Sequence, residues 1–174
     1  MPINEVWHHH SGSDLQQGDV LERCQVLVLS RDFAIETEGE VGIETRRLIV
    51  VTQSCDLANG KAPYVALCVV YSLSELEQSD SKYRKRGFWE SVRRNKVEGL
   101  YMLPSVNDPT VNREAFVVDF RMIISLPIGY LSRHAGQLGG RPRLLSPYVE
   151  HFSQSFARFF MRVGLPSQIP EFIA

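Results

Sequence analysis

The sequence predicts a mainly β protein with helices, an α+β fold, and three observations predict it. Two short apolar runs rich in β-branched residues, Leu48–Val51 and Tyr64–Val70, are too brief for confident helices and read as buried strands. Nine Pro and twelve Gly in 174 residues supply the many turns of a strand-rich chain. The best helical stripe comes late, where Val149, Phe152, Phe156, Phe159, Phe160 and Val163 recur at three- and four-residue steps. A chain of this length makes one domain, since ~150 residues bury about 70% of their unfolded surface. An apolar content of 44% gives it a core.

Composition narrows the function classes. A formal charge of −1 does not advertise nucleic-acid binding, so any such surface has to be a local patch. Cys24, Cys55 and Cys68 form an odd set without a zinc pattern, so no metal or cofactor is expected. Cys24 and Cys68 lie in apolar runs and read as buried thiols. Cys55 lies in a polar loop and is the one to test for reactivity. The opening residues lack a charged start followed by a long apolar core, so no signal peptide is expected. No apolar run approaches the ~20 residues that span a bilayer. A cytoplasmic, reduced protein without membrane contact is the expectation.

In chain order, residues 1–17 read as a flexible N-terminal arm, and residues 18–174 as a single domain. His8-His9-His10 could bind a metal, but consecutive residues do not point one way, so an exposed segment is the reading. Gly18-Asp19-Val20-Leu21 opens the fold, and a strand follows through Ser30. Residues 31–44 read as a polar hairpin loop. Arg46 and Arg47 lead into the first apolar run. Thr52, Gln53, Cys55 and Asp56 then put hydrogen-bonding and reactive side chains in a loop at the mouth of the strand pair, where recognition groups tend to sit. Ser74 can cap a helix that begins with Glu75 and Glu77.

Residues 82–96 hold seven of the nineteen basic residues, with Tyr83, Phe88 and Trp89 interleaved. Lys85, Arg86, Arg93 and Arg94 on this inserted basic helix suit backbone phosphates, with the aromatics for base stacking. A solvated helix anchored by its aromatics accounts for the same pattern. Residues 99–104 read as a strand ended by Pro104, and residues 115–127 as a further, bent strand. Asp119 and Arg121, two apart, share a face there. They could form a structural pair or help to hold a phosphate. Residues 132–145 read as a glycine-rich loop. Ser146-Pro147 is set to start the C-terminal amphipathic helix, with Ser as cap, and Gly164 and Pro166 to end it.

The order of these elements resembles that of the MazF/PemK-like toxin endoribonucleases, which are small SH3-like β-barrels. Gly18-Asp19-Val20 matches the family's opening. Arg47-Leu48-Ile49-Val50-Val51 is similar to its Arg-Pro-apolar strand, Gln53 to Pro63 to the following loop, and Tyr64–Ser72 to the next strand. Phe116–Leu126 looks like the strand with the family's Asp-x-x-Arg type ending. The resemblance covers residues 18–72 and 115–165. The sequence departs from it in carrying Leu48 for the family's Pro, in placing Tyr71 and Ser72 near the family's catalytic Thr, and in the length of its basic segment.

The resemblance implies RNA cleavage without metal, in which the ribose 2′-hydroxyl attacks the neighbouring phosphorus. It implies Arg47 for the anionic phosphorane, Ser72 for the phosphate, and Asp119 or His134 as base or acid. Arg121, Lys85 and Arg86 would hold the flanking backbone. It also implies a two-fold homodimer. A toxin–antitoxin or phage-defence setting, with an antitoxin or a larger defence complex as protein partner, fits the same reading. The rival is a non-catalytic SH3-like module that docks nucleic acid or a larger protein. Its recognition loop would be Thr52, Gln53, Cys55 and Asp56. A Cys55 nucleophile with His134 or His151 is the third class, and nothing in the sequence places either histidine beside the thiol.

Overall fold

The computed structural model describes residues 5–29, 33, 41–108 and 110–161. Among them run β1 (Trp7–His10), β2 (Val20–Leu29), β3 (Val41–Val50), α1 (Ser54–Ala58), β4 (Tyr64–Ser72), α2 (Leu73–Ser79), α3 (Phe88–Arg93), β5 (Leu100–Leu103), β6 (Phe116–Pro127), α4 (Ile128–Leu138), β7 (Arg141–Leu144) and α5 (Tyr148–Phe160). The α+β class expected from the sequence is what is seen. Five strands form an antiparallel sheet in the order β2-β3-β4-β6-β5, and β1 pairs with β7 in a separate two-stranded ribbon.

The apolar runs are continuous because both faces of the sheet are covered. Leu48, Val50, Leu67 and Val69 face one way and pack with Leu131 and Ala135 of α4. Ile49, Val51, Cys68 and Val70 face the other way and pack with Phe152 of α5. Phe120 gathers the stripe of α5, with ring centroids 5.8 Å from Phe152, 5.4 Å from Phe156 and 6.2 Å from Phe159. A third cluster joins Leu73 and Leu76 of α2, Tyr83, and Val92 of α3 to Leu100 and Val117.

Several expectations change. The closed barrel over residues 18–174 is not made by backbone pairing among the described residues, because β2 and β5 are the edges of an open sheet. Part of the outer edge of β2 is held by α4 instead of a strand. The Tyr130 hydroxyl accepts the Gln25 N–H at 2.9 Å and donates to the Gln25 carbonyl at 3.3 Å, and His134 Nε2 lies 2.7 Å from the Glu22 carbonyl. The glycine-rich loop expected over 132–145 is therefore mostly α4 and β7. Leu131 and Ala135, one turn apart and buried, give α4 its reason to form.

The flexible arm also gives way to structure. Val6 and Leu15 are buried, and β1 runs antiparallel to β7 with Trp7 opposite Leu144. The residues expected as a loop before Arg46 already belong to β3 from Val41, which pairs with Leu29. The rest of that expected loop, residues 31, 32 and 34–40, lies outside the described residues, as do the helix stops Gly164 and Pro166. The basic segment is a 3-10 turn over Ser81–Arg84 followed by the short α3, not one helix. α2 is capped by Ser72, not Ser74, and Ser146 does not cap α5, whose N-cap position is Pro147.

A buried ion cluster ties the two ends of the described fold together. Asp19 is fully buried, and Arg141 and Arg143 nearly so. Arg141 Nε donates to Asp19 Oδ2 at 2.8 Å, and Arg143 reaches both carboxylate oxygens, from Nε at 2.5 Å and Nη2 at 3.0 Å. The remaining guanidinium donors of Arg141 go to the carbonyls of Gly12 and Asp14. Beside it, Gly18 holds φ +86°, and a Cβ there would stand 2.8 Å from Leu144 Cβ, so only glycine lets β7 approach.

Replacing Asp19 by Ala would strand two guanidiniums in the interior. Loss of one partner from a buried pair costs about 3–5 kcal/mol. Urea unfolding of Asp19→Ala is expected to show a loss of that size, and an unchanged midpoint would refute the cluster's structural weight.

Candidate functional site

The structure brings Arg47 and Ser72 together, from neighbouring strands, around one carboxylate. Arg47 faces the α5 side of β3, and its guanidinium carbon sits 4.6 Å above the ring of Phe116 on β6. Its Nε donates to Glu22 Oε1. Its Nη1 is buried, lies 3.9 Å from Glu75 Oε2, and has no hydrogen-bond partner among the described residues. The same Glu75 oxygen accepts the Ser72 backbone N–H at 2.6 Å and the Ser72 hydroxyl at 2.8 Å. In return the Glu75 N–H donates to Ser72 Oγ at 3.2 Å, which completes a capping box at the start of α2. Burial works against ionisation of Glu75, but the Ser72 hydrogen bonds and the guanidiniums of Arg47 and Arg46 outweigh it and hold the carboxyl below its usual range. A phosphate oxygen brought to this site would meet a guanidinium with donors in a fixed fork, flanked by two carboxylates.

Asp119 is not part of this group. It is three residues beyond Phe116 on β6, so it points to the opposite face. There it is nearly buried, opposite Val69, and holds Arg121 through Nε at 2.8 Å and Nη2 at 2.7 Å. Asp119 and Arg121 form an ion pair, with the Arg121 side chain about half exposed. The pair closes a bulge where three residues of β6 loop out between Asp119 and Ile123. His134 is likewise occupied at the β2 edge, stacked on Tyr130 at 5.9 Å.

The loop residues form a second, separate group. Thr52 Oγ1 accepts the Ala66 N–H at 2.8 Å, Gln53 stands at the N-cap position of α1, and Ser54 Oγ accepts the Gln17 N–H at 3.0 Å. Gln17 in turn donates to the Val51 carbonyl and to Ser153 of α5. The polar loop is thus a short helix wedged between the N-terminal segment and α5. Ala66 beside Thr52 is six residues from Ser72, or ~20 Å along β4 at about 3.3 Å per residue. The two groups do not share a cleft.

Cys55 Sγ is exposed on that helix, 3.6 Å from Gln53 Oε1 and 3.9 Å from Asp56 Oδ1. Among the described residues no set of three or more His, Cys, Asp or Glu side chains is placed to hold a metal ion, and no helix is long and apolar enough to cross a membrane.

The basic residues are partly spoken for. Arg93 and Arg94 both bond Glu90, Lys82 bonds Asp80, and Arg84 Nε donates to the Glu77 carbonyl. Lys85 and Arg86 are exposed in the turn before α3, where Lys85 adds to the positive charge around Asp80. Sequence reasoning missed Glu22, Glu75 and Phe116. Only Glu75 had a local signal, the Ser-x-x-Glu of a capping box; the other two meet Arg47 through strand pairing alone.

Comparison with protein-family models and with curated proteins finds no match to this chain. The class of the site therefore rests on its own geometry.

Burial pushes the thiols of Cys24 and Cys68 up to about 12, helped by Glu22 and Asp119 respectively. A maleimide at neutral pH is expected to label native protein once, at Cys55, and unfolded protein three times. Mass spectrometry reads the difference, and labelling of Cys24 or Cys68 in the folded state would contradict the packing.

Proposed function

We propose that this chain is a MazF/PemK-like nucleic-acid-interacting protein in which the Arg47 cluster cleaves RNA without a metal ion. The observation that carries this reading is the convergence of Arg47, Glu22, Phe116, Ser72 and Glu75 from β2, β3, β4, β6 and α2. The fold gives partial support. Asp19 bridges to Arg143, which sets β7 beside the start of β2, and Trp7 Nε1 donates to the Pro104 carbonyl just past β5 at 3.2 Å. These two contacts, one at each edge of the open sheet, are of the kind an opened variant of a small SH3-like barrel would need.

In this reading the 2′-oxygen forms a bond to phosphorus while the bond to the 5′-oxygen breaks, leaving a cyclic phosphate and a free hydroxyl. Glu22 takes the 2′ proton, in the place the resemblance gave to Asp119. Water returns a proton to the leaving oxygen, and Arg47 stabilises the phosphorane. Ser72 acts through Glu75, which it holds in place. The cytoplasm, and a partner such as an antitoxin or a larger defence complex, belong to the same proposal.

A labelled RNA incubated with the protein in EDTA is the test. Arg47→Ala and Glu22→Gln are each expected to lose about 100-fold or more in rate, the scale for removing a positioned charge or proton acceptor. Ser72→Ala is expected to lose about 1 kcal/mol of stability through its cap. No cleavage by the parent, or equal rates in all variants, defeats the catalytic reading. The second reading, a non-catalytic binding module, is favoured by one fact: Arg47 and Ser72 are already engaged by carboxylates. RNA binding without cleavage would select it.

The two-fold dimer is supported by the β2–β3 hairpin. Leu27 faces Ile43 and Leu29 faces Val41, all four more than half exposed, on a stretch of β2 without charge from Cys24 to Leu29. Equilibrium sedimentation is expected to show a dimer that Leu27→Glu dissociates, and a monomer at every concentration would remove it.

A further inference from the structure

The lobe made by α2, the 3-10 turn and α3 has a charge that the whole chain lacks. Residues 73–97 carry seven Lys and Arg against four Asp and Glu, in a protein of net charge −1. The ion pairs there do not cancel this surplus. Glu90 holds Arg93 through Nε at 2.7 Å and Nη2 at 2.6 Å, and it also holds Arg94 through Nε at 2.6 Å. Glu77 takes both forks of Arg113, at 2.9 Å each. Each carboxylate fixes the plane of an arginine; Glu90, shared by two arginines, leaves a net positive charge, whereas Glu77 and Arg113 balance each other.

Beside this array the surface opens into a groove between α3 and β5. Two adjoining cavities of about 210 and 160 Å³ share Arg93, Met102 and Asn112. Leu73, Met102 and Ala115 give apolar walls, and Trp89 borders the larger cavity. Trp89 is a rigid platform. Its Nε1 donates to Glu77 at 2.8 Å, and its ring stacks on Tyr83 at 5.9 Å with 8° between planes. Arg93 and Arg113 line that cavity together with Glu90, and each guanidinium is already paired, Arg93 with Glu90 and Arg113 with Glu77. In sequence the groove lies next to the Arg47 cluster, since Leu73 follows Ser72 and Ala115 precedes Phe116, but Leu73, Met102 and Ala115 pack in the cluster of α2 and α3 while Phe116 packs on the α5 side.

We infer that this groove is a nucleobase subsite, which takes one base of a single-stranded RNA against Trp89 while Arg93 and Arg113 hold the adjoining phosphates. An immobilised aromatic ring on a lobe with more cations than carboxylates, where phosphates can compete for Arg93 and Arg113, suits binding of single strands by stacking and charge. An apolar peptide would use the walls and not the cations. An acidic peptide would use the cations and not the ring. The inference rests on the nucleic-acid reading above and adds where the strand is gripped, with Trp89 singled out from the aromatics and with Asn112 and Arg113 as residues that reading does not include.

The test uses short 2′-O-methyl oligoribonucleotides, which bind but cannot be cleaved through the 2′-hydroxyl. The protein has two tryptophans, Trp7 and Trp89. Saturable quenching of Trp89 emission is expected, with binding weakened about tenfold or more when abasic spacers replace the bases, as the loss of one stacked base implies. Trp89→Leu should lose the quench, and Arg113→Ala, at an exposed position, should weaken binding with the fold retained by circular dichroism. No quench, equal binding of the spacer oligomer, or equal binding of poly-glutamate overturns the inference. Base-dependent quenching in a protein that cleaves nothing would keep the subsite and discard the ribonuclease. Cleavage without quenching would do the reverse.

Discussion

The interaction on which most of the architecture depends is the burial of Asp19 between Arg141 and Arg143. Three charged side chains sit in the interior, and none is tolerable there alone. Together they fix the register of β7 against the start of β2, and the backbone confirms the position: Val50 donates to the Asp19 carbonyl at 3.0 Å, and Leu144 to the Gly18 carbonyl at 3.2 Å. Once β7 is placed, β1 is placed, and with β1 comes the indole that reaches Pro104. One carboxylate thereby organises both the N-terminal segment and the far edge of the sheet.

The Arg47 cluster follows from sheet geometry in the same way. β3 and β4 pair Leu48 with Val69, so Arg47 and Ser72 emerge on one face near the same end of the sheet. Phe116, paired with Ser72, supplies the ring beneath the guanidinium. Glu22 arrives through the irregularity in β2 between Leu21 and Cys24, where Arg23 adopts φ 55°. That bulge bends the strand and strengthens its local twist.

How much of this was legible in the sequence depended on whether the cause was local. Leu48–Val51 and Tyr64–Val70 declared themselves because burial on both faces leaves a continuous apolar run. β7 was invisible, since Arg-Pro-Arg reads as loop until a carboxylate 122 to 124 residues away makes the arginines buriable. α4 was hidden by Gly129, Ser132 and Gly136, although its buried Leu131 and Ala135 keep helical spacing. At the candidate site, proximity of Arg47 and Ser72 could be read from two adjacent strands. The misplacement of Asp119 came from the β6 bulge and the strand's alternation, which turn it toward Arg121.

The ribbon of β1 and β7 has a consequence for how the chain comes to be folded. Its strands lie at opposite ends of the described sequence, so neither the ribbon nor the charge cluster beneath it can assemble until Leu144 has left the ribosome. Until then Val6, Trp7 and Leu15 wait without their docking surface. Contacts of such long sequence separation close late and slowly. The nascent protein must therefore pass through a stage in which the central strands can already pair while its N-terminal segment is still a loose, partly apolar thread.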